Sequence, residues 1–252
     1  MSPDASLRID PAAPVVILSP HLDDAVWSCF SLLAGDDDVL VATLFAGIPD
    51  GEPGWWDVQC GITDSAAHVR DRRSEDAEVL RSLGHTAVHL DLLDGQYRGA
   101  PVPAEEIVRA LAERVPAARQ VYASGGIGHP DHALVRDAGA RLRELGVAMT
   151  VYTDYCYSTR EGWPTFVSPE GRPEADDQWR ASIGHLVGDG LAHPRVVRLT
   201  EEESGRKLEA MRGYVTQFEN IEAEEPNWQV DGKGSADPAK RAIEVFYDLA
   251  AA

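Results

Sequence analysis

Two short clusters of metal-ligand residues lie more than a hundred residues apart in this chain. The first is His21-Leu22-Asp23-Asp24 and the second is His129-Pro130-Asp131-His132. Imidazole nitrogens and carboxylate oxygens are ligands that zinc accepts, and a catalytic zinc site combines three protein ligands with a water. The two clusters together therefore predict a hydrolytic metal site, provided that the fold brings them to one point.

Each cluster directly follows an apolar run that is typical of a strand, Val15–Leu18 before the first and Val121–Ala123 before the second. In an open α/β sheet, ligands bind in the crevice outside the carboxyl ends of the strands. Both clusters are therefore expected at the same edge of a sheet. His21 and Asp24 can converge on one point across a strand-to-helix turn, and His132 is the third candidate ligand.

Two further side chains in the clusters are available for chemistry. Asp23 can take a proton from a water whose pKa a metal has lowered toward neutrality. His129 can polarise a scissile carbonyl or protonate a leaving amine. A second interpretation treats Asp23, Asp24 and the turn at His129 as helix caps without catalytic duty. Capping explains either cluster alone, whereas two His/Asp clusters that both follow strands and open helices favour the metal site.

The elements that must position these residues alternate between strand and helix patterns, which is typical of a parallel sheet with crossover helices. The hydrophobic patterning predicts strands at 14–19, 38–45, 86–90, 120–124, 148–153 and 195–199. It predicts helices at 24–34, 64–83, 103–115, 131–145, from 201 to about 218, and from 237 to 249. We therefore expect an α/β fold, a Rossmann-like parallel sheet flanked by helices, with long substrate loops near the carboxyl edge of the strands.

Three stretches interrupt this alternation. They are residues 46–63, 155–194 and 219–238. The first holds Trp55 and Trp56 among glycines and prolines, and the last is acidic around Trp228. Long loops in compact α/β domains are usually functional or disordered. We expect one domain with these bounds: whole chain 1–252, core about 14–218, loop insertions 46–63 and 155–194, C-terminal tail 219–252.

The composition excludes some classes of partner. The chain has 252 residues, of which 42 are acidic and 23 are Lys or Arg, with a formal net charge of -19. This charge repels phosphate backbones and anionic membranes, so nucleic-acid binding is not expected. No apolar run reaches the roughly 20 residues of a membrane-spanning helix, and the N-terminus lacks a secretory pattern. We expect a cytoplasmic protein that acts on a small molecule, with homo-oligomerisation left open.

Competing catalytic motifs are weak or missing. The widely spaced Cys29, Cys60 and Cys156 form no C-x-x-C pair, and Cys29 is expected in the core. Gly125-Gly126-Ile127-Gly128 lacks the full G-x-G-x-x-G spacing of a dinucleotide-binding turn. The chain contains neither a P-loop nor a G-x-S-x-G nucleophile elbow. The two His/Asp clusters therefore carry the functional prediction.

These clusters resemble the paired motifs of the PIG-L / LmbE-like deacetylases, in the segments Ser19–Ala25 and Gly128–His132. Those enzymes remove N-acyl groups, commonly acetyl from an amino sugar, and some act in antibiotic pathways. Weaker agreement is found at Arg72-Arg73-Ser74-Glu75 with Leu83-Gly84, at Leu90–Gly95, and at Lys207–Gln217. The resemblance runs in order from about residue 14 to 218.

The resemblance implies a zinc-dependent N-acetyl deacetylase that uses Zn²⁺ or another divalent metal. It assigns the following roles: metal ligands His21, Asp24 and His132; general base Asp23; oxyanion stabilisation His129; surrounding site Arg72 and Asp94. The substrate it implies is a small N-acylated amine, and a role in secondary metabolism is one expectation. The family pattern A-H-P-D-D-E ends in Ala25 here, which removes a carboxylate that can tune metal affinity or reaction rate.

Other interpretations of these residues stay open at the level of sequence. Trp55, Trp56, Trp163 and Tyr157 are candidates for stacking on a sugar ring or a planar scaffold, or else are core residues of their loops. A metal-dependent hydrolase of another bond, such as a phosphoester, is an alternative function. A non-catalytic binding protein that retains the fold is a third.

Overall fold

The structure, a computed structural model, describes residues 7–158, 162–218 and 241–249, in which strands and helices alternate. The strands are β1 Arg8–Ile9, β2 Val15–Ser19, β3 Val39–Thr43, β4 Thr86–His89, β5 Ala117–Ala118, β6 Gln120–Ser124, β7 Met149–Tyr152, β8 Arg195–Arg198 and β9 Ile243–Leu249. The helices are α1 Asp24–Ser28, α2 Phe30–Leu33, α3 Trp55–Gln59, α4 Ser65–Ser82, α5 Ala104–Arg114, α6 Pro130–Glu144, α7 Tyr155–Ser158, α8 Pro173–Val187 and α9 Glu201–Arg212. Short 3-10 helices lie at Gly95–Tyr97 and Gly188–Ala192. The predicted α/β class is confirmed.

A seven-stranded sheet with the order β4-β3-β2-β6-β7-β9-β8 forms the centre of the molecule. Its first five strands are parallel, and β9 runs antiparallel between β7 and β8. Val15 at the start of β2 lies opposite both Val39 and Gln120, so the three central strands are aligned at their amino ends. Their carboxyl ends therefore reach the same edge of the sheet.

Strand β2 is buried on both faces, as expected for a central parallel strand covered by helices. Val16 and Leu18 belong to a core cluster that also contains side chains of α5 and α6. Val15 and Ile17 point to the opposite face and pack in a second cluster with residues of α1, α2, α4 and α9. This two-sided burial fixes β2, and hence the residues that follow it, in the middle of the molecule.

The helix predicted at 24–34 is divided into α1 and α2 at Cys29. The carboxylate of Glu244 accepts hydrogen bonds from the backbone N–H groups of Phe30 and Ser31, at 2.8 and 2.9 Å. A helix start needs acceptors for its free N–H groups, and here a side chain from the far end of the chain supplies them. Cys29 is fully buried, as the sequence predicts.

The helix predicted from 237 to 249 is wrong from residue 243 onward, because Ile243–Leu249 is the strand β9. The side chains of Val245 and Tyr247 pack in one core cluster and that of Phe246 packs in the other. This alternation has the period of a strand. Glu244 is also buried and pairs with the ammonium of Lys207 at 2.7 Å. The acidic stretch 219–238 with Trp228 lies outside the described residues.

Two further predicted elements differ from the structure. The stretch 155–194, expected as a loop insertion, contains α7, α8 and the Gly188–Ala192 turn. Helix α8 has Pro173 in its first turn with acidic residues beside it, and Gly188 follows its end, so the sequence did contain capping signals. The helix predicted from 201 to about 218 is interrupted: α9 ends at Arg212, and residues 215–218 are again helical after the turn at Gly213. Across the described part of the chain, no helix has the length and apolarity that a membrane crossing requires.

Candidate metal centre and active site

Three parallel strands deliver functional side chains to the carboxyl edge of the sheet. His21, Asp23 and Asp24 follow β2, while Asp94 lies in the segment after β4. The segment between β6 and α6 provides His129, and the first turn of α6 provides His132. The carboxyl ends of parallel strands are the usual binding edge of such sheets. The structure therefore brings together the two clusters that are far apart in sequence.

Two glycines shape the turn that carries His129 into the site. Gly126 and Gly128 both have positive φ angles, of 70° and 77°, which side-chain-bearing residues rarely adopt. A Cβ on Gly126 would lie 2.7 Å from the Cα of Ala133. Glycine is therefore also needed at this position because the turn passes so close to the backbone of α6. The glycine-rich segment therefore serves the geometry of this turn.

Three ligand atoms form a nearly equilateral triangle at the centre of the site. His21 Nδ1 lies 3.3 Å from Asp24 Oδ2, His132 Nε2 lies 3.2 Å from the same oxygen, and the two nitrogens are 3.3 Å apart. Tetrahedral coordination with bonds of about 2.0–2.1 Å separates two ligand atoms by about 3.3–3.4 Å. The triangle therefore fits three ligands of one tetrahedral cation.

The other nitrogen of each imidazole lies against a carboxylate. His21 Nε2 is 3.2 Å from Asp131 Oδ2, and His132 Nδ1 is 2.7 Å from Asp154 Oδ1. An ionised carboxylate only accepts hydrogen bonds, so each of these nitrogens carries the ring proton. When the rings are neutral, the lone pairs of His21 Nδ1 and His132 Nε2 are directed to the triangle, where a cation takes the place of a second proton. Carboxylates behind histidine ligands commonly orient them in this way in metal sites.

The charges around the triangle are strongly coupled. Burial lowers the pKa of His132, but Asp24 and Asp154 outweigh it and raise the pKa to about 9. Burial opposes the ionisation of Asp24 as well, yet the two imidazoles hold the pKa of Asp24 well below its usual range. The three carboxylates of Asp24, Asp131 and Asp154 around two imidazoles thus favour positive charge at this point, which a divalent cation would supply.

Asp23 lies beside the triangle without serving as a cap. It occupies the position before α1, but its side chain accepts no capping hydrogen bond, so the capping interpretation fails for this residue. Burial, followed by the neighbouring charge of Asp24, raises the pKa of Asp23 to about 6, against the opposing effect of Arg72. Arg72 Nη2 is 3.5 Å from Asp23 Oδ2. Asp23 is therefore a carboxylate whose proton affinity suits exchange near neutral pH.

The two ring nitrogens of His129 have different tasks: Nδ1 holds the turn in place, and Nε2 can donate a hydrogen bond to a ligand. Its Nδ1 accepts a hydrogen bond from the backbone N–H of Asp131 at 3.2 Å, so the capped-turn interpretation holds here. Burial, and then the charges of His21 and His132, lower the pKa of His129 to about 3. The ring is therefore neutral near pH 7 and carries its proton on Nε2. This favours hydrogen-bond donation to an oxyanion over proton transfer to a leaving amine.

A cavity of about 630 Å³ opens next to these residues. The following predicted site residues line it: His21, Asp23, Asp24, Trp55, Trp56, Arg72, Asp94 and His129. His132 lies beneath the cavity and is fully buried. Asp94 Oδ2 is 3.6 Å from His21 Nε2, and Asp94 also accepts a hydrogen bond from the N–H of Gln96. Trp163 does not line this cavity; it packs against Trp179 with ring centres 6.1 Å apart, as the core-residue interpretation expects.

Several residues of the site carried no role in the sequence analysis. Asp154 lies two residues beyond β7, and the strand-end rule that found His21 would also have found it. Arg98 pairs with Asp131 and stacks 4.6 Å from the ring centre of Phe45, but no local pattern indicates such contacts. Tyr157, in contrast, is a stacking candidate from the sequence; it lines the cavity and packs 5.4 Å from His129, measured between ring centres.

Two other groups of side chains lie close enough to share an ion: His21 with His129 and His132, and His21 with Asp94 and Asp131. In the first group, His129 Nδ1 already accepts a backbone hydrogen bond. In the second, the guanidinium of Arg98 neutralises Asp131. In the set of His21, Asp24 and His132, Asp24 Oδ2 also accepts a hydrogen bond from the backbone N–H of His21 at 2.9 Å, but a carboxylate oxygen keeps a further lone pair for a cation. The triangle with sides of 3.2–3.3 Å makes this set the best fit to a divalent cation.

The sequence profile of the GlcNAc-PI de-N-acetylase family, PIG-L, matches residues 16–142, which include both His/Asp clusters. The chain belongs to this family. Ala25, at the position where the family pattern has Glu, is buried in the core and its N–H donates to Ser19 Oγ at 3.1 Å. Carboxylates from Asp131 and Asp154 lie behind the histidine ligands of this PIG-L chain.

Solved structures of deacetylases share the fold over nearly the whole chain. The A40926 pseudoaglycone deacetylase is 26% identical with a TM-score of 0.65, and the match covers 96% of this chain and 99% of that one. A deacetylase triple mutant of the teicoplanin biosynthetic pathway is 24% identical with a TM-score of 0.67, covering 94% and 97%. The zinc-inhibited form of teicoplanin deacetylase is 22% identical with a TM-score of 0.64, covering 92% and 96%. No curated protein sequence matches the chain.

Proposed function

We propose that this protein is a metal-dependent hydrolase that removes an N-acyl group, acetyl above all, from an amino sugar or another amine-bearing small molecule. The observation that carries the proposal is the triangle of His21, Asp24 and His132 atoms with 3.2–3.3 Å sides, beside the buried Asp23. Membership of a de-N-acetylase family supports the same reaction. Similarity to the A40926 pseudoaglycone deacetylase supports a role in secondary metabolism.

The chemistry of the ligand atoms supports zinc as the cation. His21, Asp24 and His132 would hold it through two nitrogens and one oxygen, a set that zinc favours in catalytic sites. When bound, zinc acts as a Lewis acid that polarises a carbonyl and lowers the pKa of water. The remaining side chains then have separate tasks in the reaction.

Asp23 is the proposed general base. It would take a proton from the attacking water as the water oxygen bonds to the acyl carbon, and its pKa of about 6 leaves it mostly ionised at neutral pH. His129, neutral with its proton on Nε2, would donate a hydrogen bond to the developing oxyanion. Cleavage of the C–N bond would return the proton from Asp23 to the departing nitrogen. The products are a carboxylic acid and a free amine.

Replacement of Asp23 by Asn tests this assignment. The substitution keeps the size of the side chain and removes its basicity, so turnover should fall at least 100-fold. Metal content, measured by elemental analysis, should persist because Asp23 lies outside the ligand triangle. Amine release from N-acetylated amino sugars is the activity to measure. Full activity of Asp23→Asn, or of protein stripped of metal with a chelator, would contradict the proposal.

A further inference from the structure

Trp55 and Trp56 form an aromatic wall at the cavity. Both open α3, both line the cavity, and their ring centres are 5.8 Å apart in an edge-to-face arrangement. Trp55 has 66% of its surface exposed, which is unusual for so large an apolar side chain. An exposed tryptophan beside a candidate active site is therefore a candidate contact for a ligand.

The short helix α3 is held in place by Asp57. This residue is buried, and its Oδ2 accepts hydrogen bonds from Ser65 Oγ and, at 2.6 Å, from the hydroxyl of Tyr97. Burial, followed by the hydrogen bond to Asp57, raises the pKa of Tyr97, so the phenol stays protonated and remains a donor. A five-residue helix has little stability of its own. These contacts therefore fix the orientation of the aromatic wall.

The backbone at the start of α3 is equally constrained. The N–H of Asp57 donates to Gln96 Oε1 at 3.2 Å, which joins α3 to the Gly95–Tyr97 turn. Gly54 also packs against the Gln96 side chain, where a Cβ would displace it. The two tryptophans thus stand on a preformed support. A preformed surface loses less conformational entropy when it binds a ligand.

We infer that Trp55 and Trp56 form a subsite for a planar aromatic group attached to the N-acylated amino sugar, an inference that rests on the proposed function. At about 630 Å³ the cavity matches the size of drug-sized ligands, so it has room beyond a single sugar ring. The charged and polar lining residues near the triangle, Asp23, Arg72 and Asp94, suit sugar hydroxyls.

The aromatic wall suits a different chemical group. Together with Ala100 and Pro101, the indoles present apolar surface in the same cavity. Sugar hydroxyls would need hydrogen-bond partners there, whereas an aromatic ring gains offset-stacked or edge-to-face contacts with an indole. An aromatic substituent on the sugar is therefore the occupant that fits this wall best.

Binding to a matched pair of ligands tests the subsite. We would titrate zinc-loaded Asp23→Asn protein, which does not consume its ligand, with the methyl and the phenyl glycosides of N-acetyl-β-glucosamine. The phenyl glycoside should bind more tightly, and adding Trp55→Ala should reduce this preference roughly 2- to 12-fold. Val58→Ala is the matched control, because Val58 lies on the same helix, is 65% exposed, and does not line the cavity.

The outcome for the subsite is judged from the ratio of the two dissociation constants. A ratio that falls in the Trp55→Ala background and is kept in the Val58→Ala background supports the subsite. An unchanged ratio after Trp55→Ala, or equal or undetectable binding of the two glycosides, overturns it. Amine release from either glycoside by the protein with Asp23 intact tests the deacetylase function separately. Its absence would count against that function, whatever the binding ratio shows.

Discussion

At the scale of the residue, the candidate site depends on what lies behind the ligands. His21 and His132 each place one nitrogen on a carboxylate and direct the other at the ligand triangle. Asp154 is itself held by hydrogen bonds from Ser124 Oγ at 2.6 Å and from the N–H of Ile127 at 3.1 Å. The buried carboxylate therefore fixes both the tautomer and the direction of His132.

We expect Asp154→Asn to weaken metal binding about 10- to 100-fold, because the negative charge behind His132 is lost while the shape is kept. Competition with a chromogenic chelator measures the metal dissociation constant. Asp137→Asn is the control, since Asp137 lies on α6 with its side chain 49% exposed and pairs with Arg136. An unchanged metal affinity in Asp154→Asn would show that the carboxylate does not support the ligand.

At the scale of the element, α6 must lie close to the sheet so that His132 reaches the ligand triangle. Gly139 permits this approach, because a Cβ there would lie 2.6 Å from Ala123 Cβ and 2.8 Å from Met149 Cε. The helix therefore rests directly on β6 and β7. Gly205 in α9 differs, since a Cβ at that position would meet nothing within 4 Å.

These two helical glycines should respond oppositely to alanine. Gly139→Ala should destabilise the protein by about 1–3 kcal/mol through overpacking. Gly205→Ala should stabilise it by about 0.5–1 kcal/mol, because alanine favours the helix and the space is open. Urea denaturation of both variants gives the free energies of unfolding. The packing of α6 would be refuted if Gly139→Ala were as stable as the parent protein.

At the scale of the whole molecule, the end of the described chain completes the sheet. Strand β9 lies between β7 and β8, and its Phe246 has no solvent exposure. Glu244 joins this strand to both the start of α2 and Lys207 of α9. Removal of β9 would therefore expose both core clusters and leave the ammonium of Lys207 buried without a counter-charge, which is costly.

A chain that ends at residue 242 should fail to reach a cooperatively folded state. A chain that ends at Leu249 is the control, since it keeps all of β9. Circular dichroism and the cooperativity of thermal unfolding report the difference. If the shorter chain unfolded as cooperatively as the control, β9 would be an accessory strand and not part of the core.

Local sequence determined the parts of this protein that depend on near neighbours. Apolar runs and capping residues placed the parallel strands and most of helices α4, α5 and α6 to within a few residues. The types and spacing of His21, Asp24 and His132 indicated their chemistry, because ligand identity is a property of the side chain itself.

Tertiary structure decided what depends on contacts between distant segments. The partnership of Asp154 with His132, the break at Cys29 imposed by Glu244, and the strand at Ile243–Leu249 all join residues that no local pattern links. The same holds for the meeting of two clusters more than a hundred residues apart at one edge of the sheet. The physical reason is that burial, pairing and hydrogen-bond satisfaction act across space, where they outweigh local preference.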